Sequence, residues 1–148
     1  MTQAERQQAN EAAIRKMTEA FNSGNTKIVD GLVKRRGNIE KTPLPGTTKD
    51  RLGLKLKIQH LRSAFPDGRF TIEEMTSEGD KVTFRWRMEG TQKGAWLGVA
   101  ATNQKTSFTG TDVVTFQDGL MVEHESLDAK GGMLEVFAAQ SVEQDEEE

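Results

Sequence analysis

Apolar residues recur every three to four positions up to residue 61 and every second position from about residue 69 onward, so the chain divides into a helical part and a stranded part. Ala9, Ala13, Met17 and Phe21, with Ile14 and Ala20 widening the stripe, predict a first helix from about Glu5 to Asn22 that stops at Gly24. Asn25 is placed to cap a shorter helix through Ile28, Val29, Leu32 and Val33 that ends near Gly37. After a loop marked by Pro43, Pro45 and Gly46, Thr47 or Thr48 can cap a third helix, with Asp50 in its first turn and Leu54, Ile58 and Leu61 as its buried stripe. Pro66 stops it.

Residues 69–77 and 81–90 then flank a Glu78-Gly79-Asp80 turn. In the second of these segments Val82, Phe84, Trp86 and Met88 face one way, and Thr83, Arg85 and Arg87 the other. A Gly- and Ala-rich connection, residues 94–101, leads to a third strand at about Thr106 to Phe116, and Gln117-Asp118-Gly119 turns it into a fourth at Leu120 to Leu127. A short helix through Met133, Leu134, Val136 and Phe137 closes the pattern. Three helices followed by an antiparallel meander predict an α+β fold, not alternating βαβ units.

Composition narrows the function. A chain of 148 residues with 34% hydrophobic content supports one domain, expected over residues 1–140. Five of the 23 acidic residues lie in the last six positions, so residues 141–148 form an acidic tail and the body, with 20 basic residues, is close to neutral. Lys34-Arg35-Arg36 stands alone without interleaved aromatics, which predicts loop solvation and no nucleic-acid partner. With no cysteine there is neither a disulfide framework nor a thiolate nucleophile, and a cytoplasmic, soluble protein is expected, with no membrane partner.

The ionisable candidates sit in the strands. His124 titrates near about pH 6.5 when unperturbed and can act as base, acid or donor to an oxyanion. Strand alternation puts it on the face of Leu120 and Val122, which favours the interior. His60 lies one position from the third helix's apolar stripe and reads more readily as a surface residue. Trp96, in the small-residue connection, has two readings: a lid over a ligand or an exposed anchor for a second subunit. The two histidines are far apart in sequence, with no clustered carboxylates, so no metal site is expected. No Gly-x-Ser-x-Gly pattern suggests a covalent nucleophile.

Ala64-Phe65-Pro66-Asp67, Glu78-Gly79-Asp80, Arg85-Trp86 leading to Gly90-Thr91, Phe108-Thr109-Gly110-Thr111-Asp112, and Asp118-Gly119 followed by Val122-Glu123-His124 occur in one order. In these motifs the chain resembles the SnoaL-like polyketide cyclases of the nuclear transport factor two-like superfamily, over most of residues 9 to 139. The resemblance implies a cone-shaped α+β barrel, with three helices packed in a strongly bent sheet around a pocket, and a tendency to form homodimers. It also implies cofactor-independent chemistry, an intramolecular aldol ring closure on a small hydrophobic carbonyl compound with a carboxylate as acid and base. The family's carboxylate maps onto Asp128, and a second polar position maps onto Asp112, which parity places on the face of Phe108, Val114 and Phe116. Asp128, Asp112 and His124 are thus the expected catalytic residues, with Phe84, Trp86, Trp96, Phe108, Val114 and His60 around the substrate.

The chain departs from the family pattern where Glu125 follows His124 and only Ser126 and Leu127 precede Asp128. A one-residue shift reverses the facing of a strand residue. Competing roles also exist: Asp128 is placed to cap the last helix, and either Asp can pair with Arg85 or Arg87. The other functional readings are a non-catalytic binding or oligomerisation module on the same cone, and an isomerase or hydrolase with differently placed carboxylates.

Overall fold

Thr2 opens the first helix through a capping box: its hydroxyl accepts from the Glu5 amide, and the Glu5 carboxylate accepts from the Thr2 amide. Helix α1 (Gln3–Ser23) ends at Gly24, whose φ of 76° supplies the left-handed stop that the sequence indicates. Asn10, not Ala9, joins Ala13, Ile14, Met17, Ala20 and Phe21 on its buried face. Helix α2 (Lys27–Leu32) ends earlier than the glycine at position 37 suggests, because Val33 turns extended and bridges to Met121. Asn25 still bonds the first helical amide, that of Lys27. Helix α3 (Arg51–Ala64) is capped by Asp50 rather than by either threonine, its carboxylate accepting from the Gly53 amide at 3.1 Å. The computed structural model describes residues 1–127 apart from Asn38 and Leu97; the expected C-terminal helix, the acidic tail and Asp128 lie outside the described residues.

Four strands, β1 (Arg69–Glu78), β2 (Lys81–Thr91), β3 (Lys105–Gln117) and β4 (Leu120–Ser126), pair in sequence order as an antiparallel meander. The alternation predicted for β2 holds: Val82, Trp86 and Met88 are buried and Phe84 half-buried, while Arg85 is exposed. On β3, Phe108, Gly110, Asp112, Val114 and Phe116 all point inward. Two β-bulges interrupt the pattern. Glu73 is the extra residue in β1, and its carboxylate takes Arg85 and Arg87 on the outer face. Val122 is the extra residue in β4, so His124 shares its inward face with Met121 and Ser126, not with Leu120 and Val122 as simple alternation predicts. The inner faces of the helices and the curved sheet share one core, in which Ile14, Leu54, Ile58, Phe65, Met88 and Phe108 are almost fully enclosed.

Candidate active site

The segment after α2 runs along the free edge of β4. The Ile39 carbonyl accepts from the His124 amide at 2.7 Å and the Lys41 amide donates to the His124 carbonyl at 2.9 Å, which fixes Glu40 opposite His124. Helix α3 approaches from the other side, and Lys57 occupies a place within its Leu54, Ile58 and Leu61 stripe. Asp112 arrives from the inner face of β3, next to the Trp86 of β2.

These four ionisable side chains form one buried chain. Lys57 Nζ donates to Glu40 Oε2 at 2.6 Å; His124 Nδ1 faces Glu40 Oε1 at 2.7 Å; His124 Nε2 faces Asp112 Oδ2 at 2.6 Å. Trp86 Nε1 donates to Asp112 Oδ1 at 3.0 Å. Glu40 is 0% exposed and His124 8%, so both rely on protein partners. Both ring nitrogens of His124 meet carboxylate oxygens, and both contacts are hydrogen bonds to carboxylate only when the ring carries both protons. Burial works against that charged ring, but the negative charges of Glu40 and Asp112 and their hydrogen bonds outweigh it and push His124 up to about 10. Burial likewise penalises ionised Glu40, and the charges of His124 and Lys57 outweigh it, holding that carboxyl down at about 2. Cations and anions alternate along the chain, which is what lets a low-dielectric interior hold them.

Asp112, His124 and Lys57 line a hollow whose other walls are largely apolar, with Met17, Leu54 and Val114 among them. Its free space is about 50 Å³, room for a few water molecules. Phe70, Ile72 and Phe84, all half-buried, form its more exposed lining. A roomier groove of about 710 Å³ lies between the start of α1 and the two hairpin turns, with Arg6, Asp80 and Asp118 on its walls, but it holds no buried ionisable group.

Of the residues expected at the site, Asp112, His124, Phe84, Trp86 and Val114 are brought together around the hollow. Phe108 is not on its lining; it packs between Phe65 and Trp86, with ring centroids 6.2 and 5.7 Å away. Trp96 is neither lid nor exposed anchor. Its loop folds back through paired Trp96 and Val99 backbone bonds, held by the Gln92 side chain, and buries the indole against Phe65. His60 is exposed on α3, away from the hollow. Glu40 and Lys57 are the residues that sequence reasoning missed. Lys57 left a signal, a charged residue inside an apolar stripe; Glu40 left none, since its partner is 84 positions away. Among the described residues no cluster of His, Asp and Glu is arranged to hold a metal ion, and no helix is long and apolar enough to cross a membrane.

The model of the SnoaL-like polyketide cyclase family matches residues 11–135, well over half of the chain. The chain belongs to that family. No curated protein matches it in sequence. Among solved structures, TsrD from Streptomyces laurentii superposes with a TM-score of 0.71 at 24% identity, over 78% of this chain and 84% of that one. IdmH from Streptomyces antibioticus does so with a TM-score of 0.69 at 27% identity, over 87% of this chain and 98% of that one. A SnoaL-like polyketide cyclase from Agrobacterium tumefaciens gives 0.69 at only 14% identity, over 88% and 96%. The cone is therefore the family's fold, held at identities too low to carry a substrate across.

Proposed function

We propose that this SnoaL-like protein is a cofactor-independent acid–base catalyst that abstracts a proton beside a carbonyl and so promotes aldol-type ring closure of a small hydrophobic compound. One observation carries the reading: the Asp112 carboxylate lines an apolar hollow while Trp86 and His124 occupy one position on each of its oxygens. An ionised carboxylate has about four acceptor positions, so Asp112 retains two with which to take a proton. His124, charged and fixed by Glu40, holds the Asp112 carboxylate in place. Asp128 is not needed for this account.

The small free space favours a second reading. At about 50 Å³ the hollow falls well short of the roughly 300–1,000 Å³ of ordinary ligand sites, and a non-catalytic oligomerisation module of the same fold needs no such space. Catalysis requires that the substrate insert only its reactive end, or that Phe70, Ile72 and Phe84 swing aside. Ethyl acetoacetate, whose methylene lies between two carbonyls, separates the two. The protein should accelerate deuterium exchange at that methylene, followed by NMR in heavy water, and Asp112→Asn should lower the rate by about a hundredfold or more. Exchange no faster than in buffer, or undiminished in the variant, would leave only the non-catalytic module.

A further inference from the structure

One polar atom of the hollow has no part in the buried chain of charges. Ser126, a residue only 7% exposed, lines the hollow, and its buried Oγ has no hydrogen-bond partner. Buried hydroxyls are nearly always bonded, and an unbonded one is costly to keep. Its surroundings show what partner it suits. Ser126 is the cross-strand partner of Asp112. Its own amide donates to Thr42 Oγ1 at 3.1 Å, and the Thr42 carbonyl accepts from Lys57 Nζ at 3.3 Å, so Thr42 ties Ser126 and Lys57 to one place. An ammonium has three N–H groups; Glu40 and Thr42 take two of those on Lys57, and the third is left over on a residue that lines the hollow. Two residues with a donor to spare, one of them charged, therefore line the same apolar space as Asp112.

We infer that Ser126 Oγ and Lys57 Nζ form the seat for the substrate's carbonyl oxygen and stabilise the negative charge that develops on it. The inference rests on the acid–base reading above and adds an orientation to it. The oxygen points to Ser126 and Lys57, and the adjacent C–H points to Asp112. When that C–H bond breaks, its proton goes to Asp112, the electron pair becomes the carbon–carbon double bond, and the former carbonyl oxygen carries the charge as an enolate. Donors preset for a developing oxyanion in a site shielded from water contribute more than they would in solution. The substrate class is a ketone or 1,3-dicarbonyl compound that enters oxygen first, in keeping with a hollow wide enough for little more than the reacting atoms.

4-Nitrophenol tests the seat directly, because its ionised oxygen resembles an enolate and its absorbance reports whether it is bound as phenolate. The full chain should bind it in the phenolate form. Ser126→Ala should weaken binding about tenfold or more, as expected for losing a hydrogen bond to a charged oxygen, with a urea midpoint that does not fall, because the lost hydroxyl had no protein partner and was costly to bury. A merely structural Ser126 would lower the midpoint on substitution and leave the probe's ionisation alone. Asp112→Asn should keep phenolate binding while losing exchange on ethyl acetoacetate. Undetectable binding by the wild-type chain, binding as the neutral phenol, or equal binding by Ser126→Ala would each overturn the inference. Undiminished exchange in Asp112→Asn would instead remove the base assignment, while Ser126-dependent phenolate binding still upholds the seat.

Discussion

Raising the pH from about 6.5 to about 8.5 should weaken this fold by roughly 2 kcal/mol, through His124 alone. In the folded chain the imidazole is held at about 10 against a model value of 6.5. Between those values the native state binds one proton that the unfolded chain has released, so stability falls by up to about 1.4 kcal/mol per pH unit. The contribution is complete below the unfolded value and vanishes as the pH climbs through the folded one. Glu40 works in the opposite sense: held at about 2 against 4.5, it contributes fully above 4.5 and loses its contribution as the pH falls through 2. Together the two groups place maximal stability between 4.5 and 6.5. Set against the roughly 5–15 kcal/mol of an ordinary domain, the alkaline loss is large enough to measure by urea unfolding at several pH values. A His60→Gln background removes the second imidazole, and Glu40→Gln, which deletes one of the two flanking anions, should flatten the slope. A urea midpoint that stays level across this range would refute the claim that His124 is charged in the folded protein.

Lys57→Met should cost about 3–5 kcal/mol because Glu40 loses one of its two buried cations, whereas adding Glu40→Gln in the same chain should recover part of that loss. A double-mutant cycle by chemical denaturation measures the coupling, and strict additivity would mean the pair does not act as one. Gly110 lies against the Trp86 ring, where a methyl group has no room. Gly110→Ala should therefore displace the indole, break its bond to Asp112, cost about 1–3 kcal/mol in thermal melts and lower the exchange rate on ethyl acetoacetate; an unaltered tryptophan emission would contradict this.

The layout of the fold was legible because each helix and strand announces itself locally. The Met17 and Phe21 stripe, the Gly24 stop and the alternation from Val82 to Met88 are short-range patterns, and the structure keeps them. The site was half legible. Asp112 stands in an alternating strand, so parity alone points it inward. Glu40 depends on a pairing between a loop and a distant strand edge, which no local period encodes. Trp96 misled for a related reason: a stretch rich in glycine and alanine suggests an open loop, yet three hydrogen bonds from the Gln92 amide fold it back and bury the indole. Polar side chains that organise a loop from within look the same in sequence as polar side chains that solvate it.

The facing of His124 shows how turn and bulge together set the chemistry. The β3–β4 hairpin turns through Asp118 and Gly119, with φ of 52° and 81°, the double left-handed pair of a two-residue turn. Such a turn pins Gln117 opposite Leu120 and Phe116 opposite Met121. Continued without interruption, that register would set Glu123 opposite Val114 and Glu125 opposite Asp112, and would aim two more carboxylates into an apolar hollow that already holds one. The extra residue at Val122 moves the pairing by one, so that His124 meets Val114 and Ser126 meets Asp112. One inserted residue thus exchanges two repelling anions for a cation and a free hydroxyl beside the same base. The tight turn fixes the strand ends, the bulge chooses which side chains face inward, and the acid–base character of the site follows from that choice.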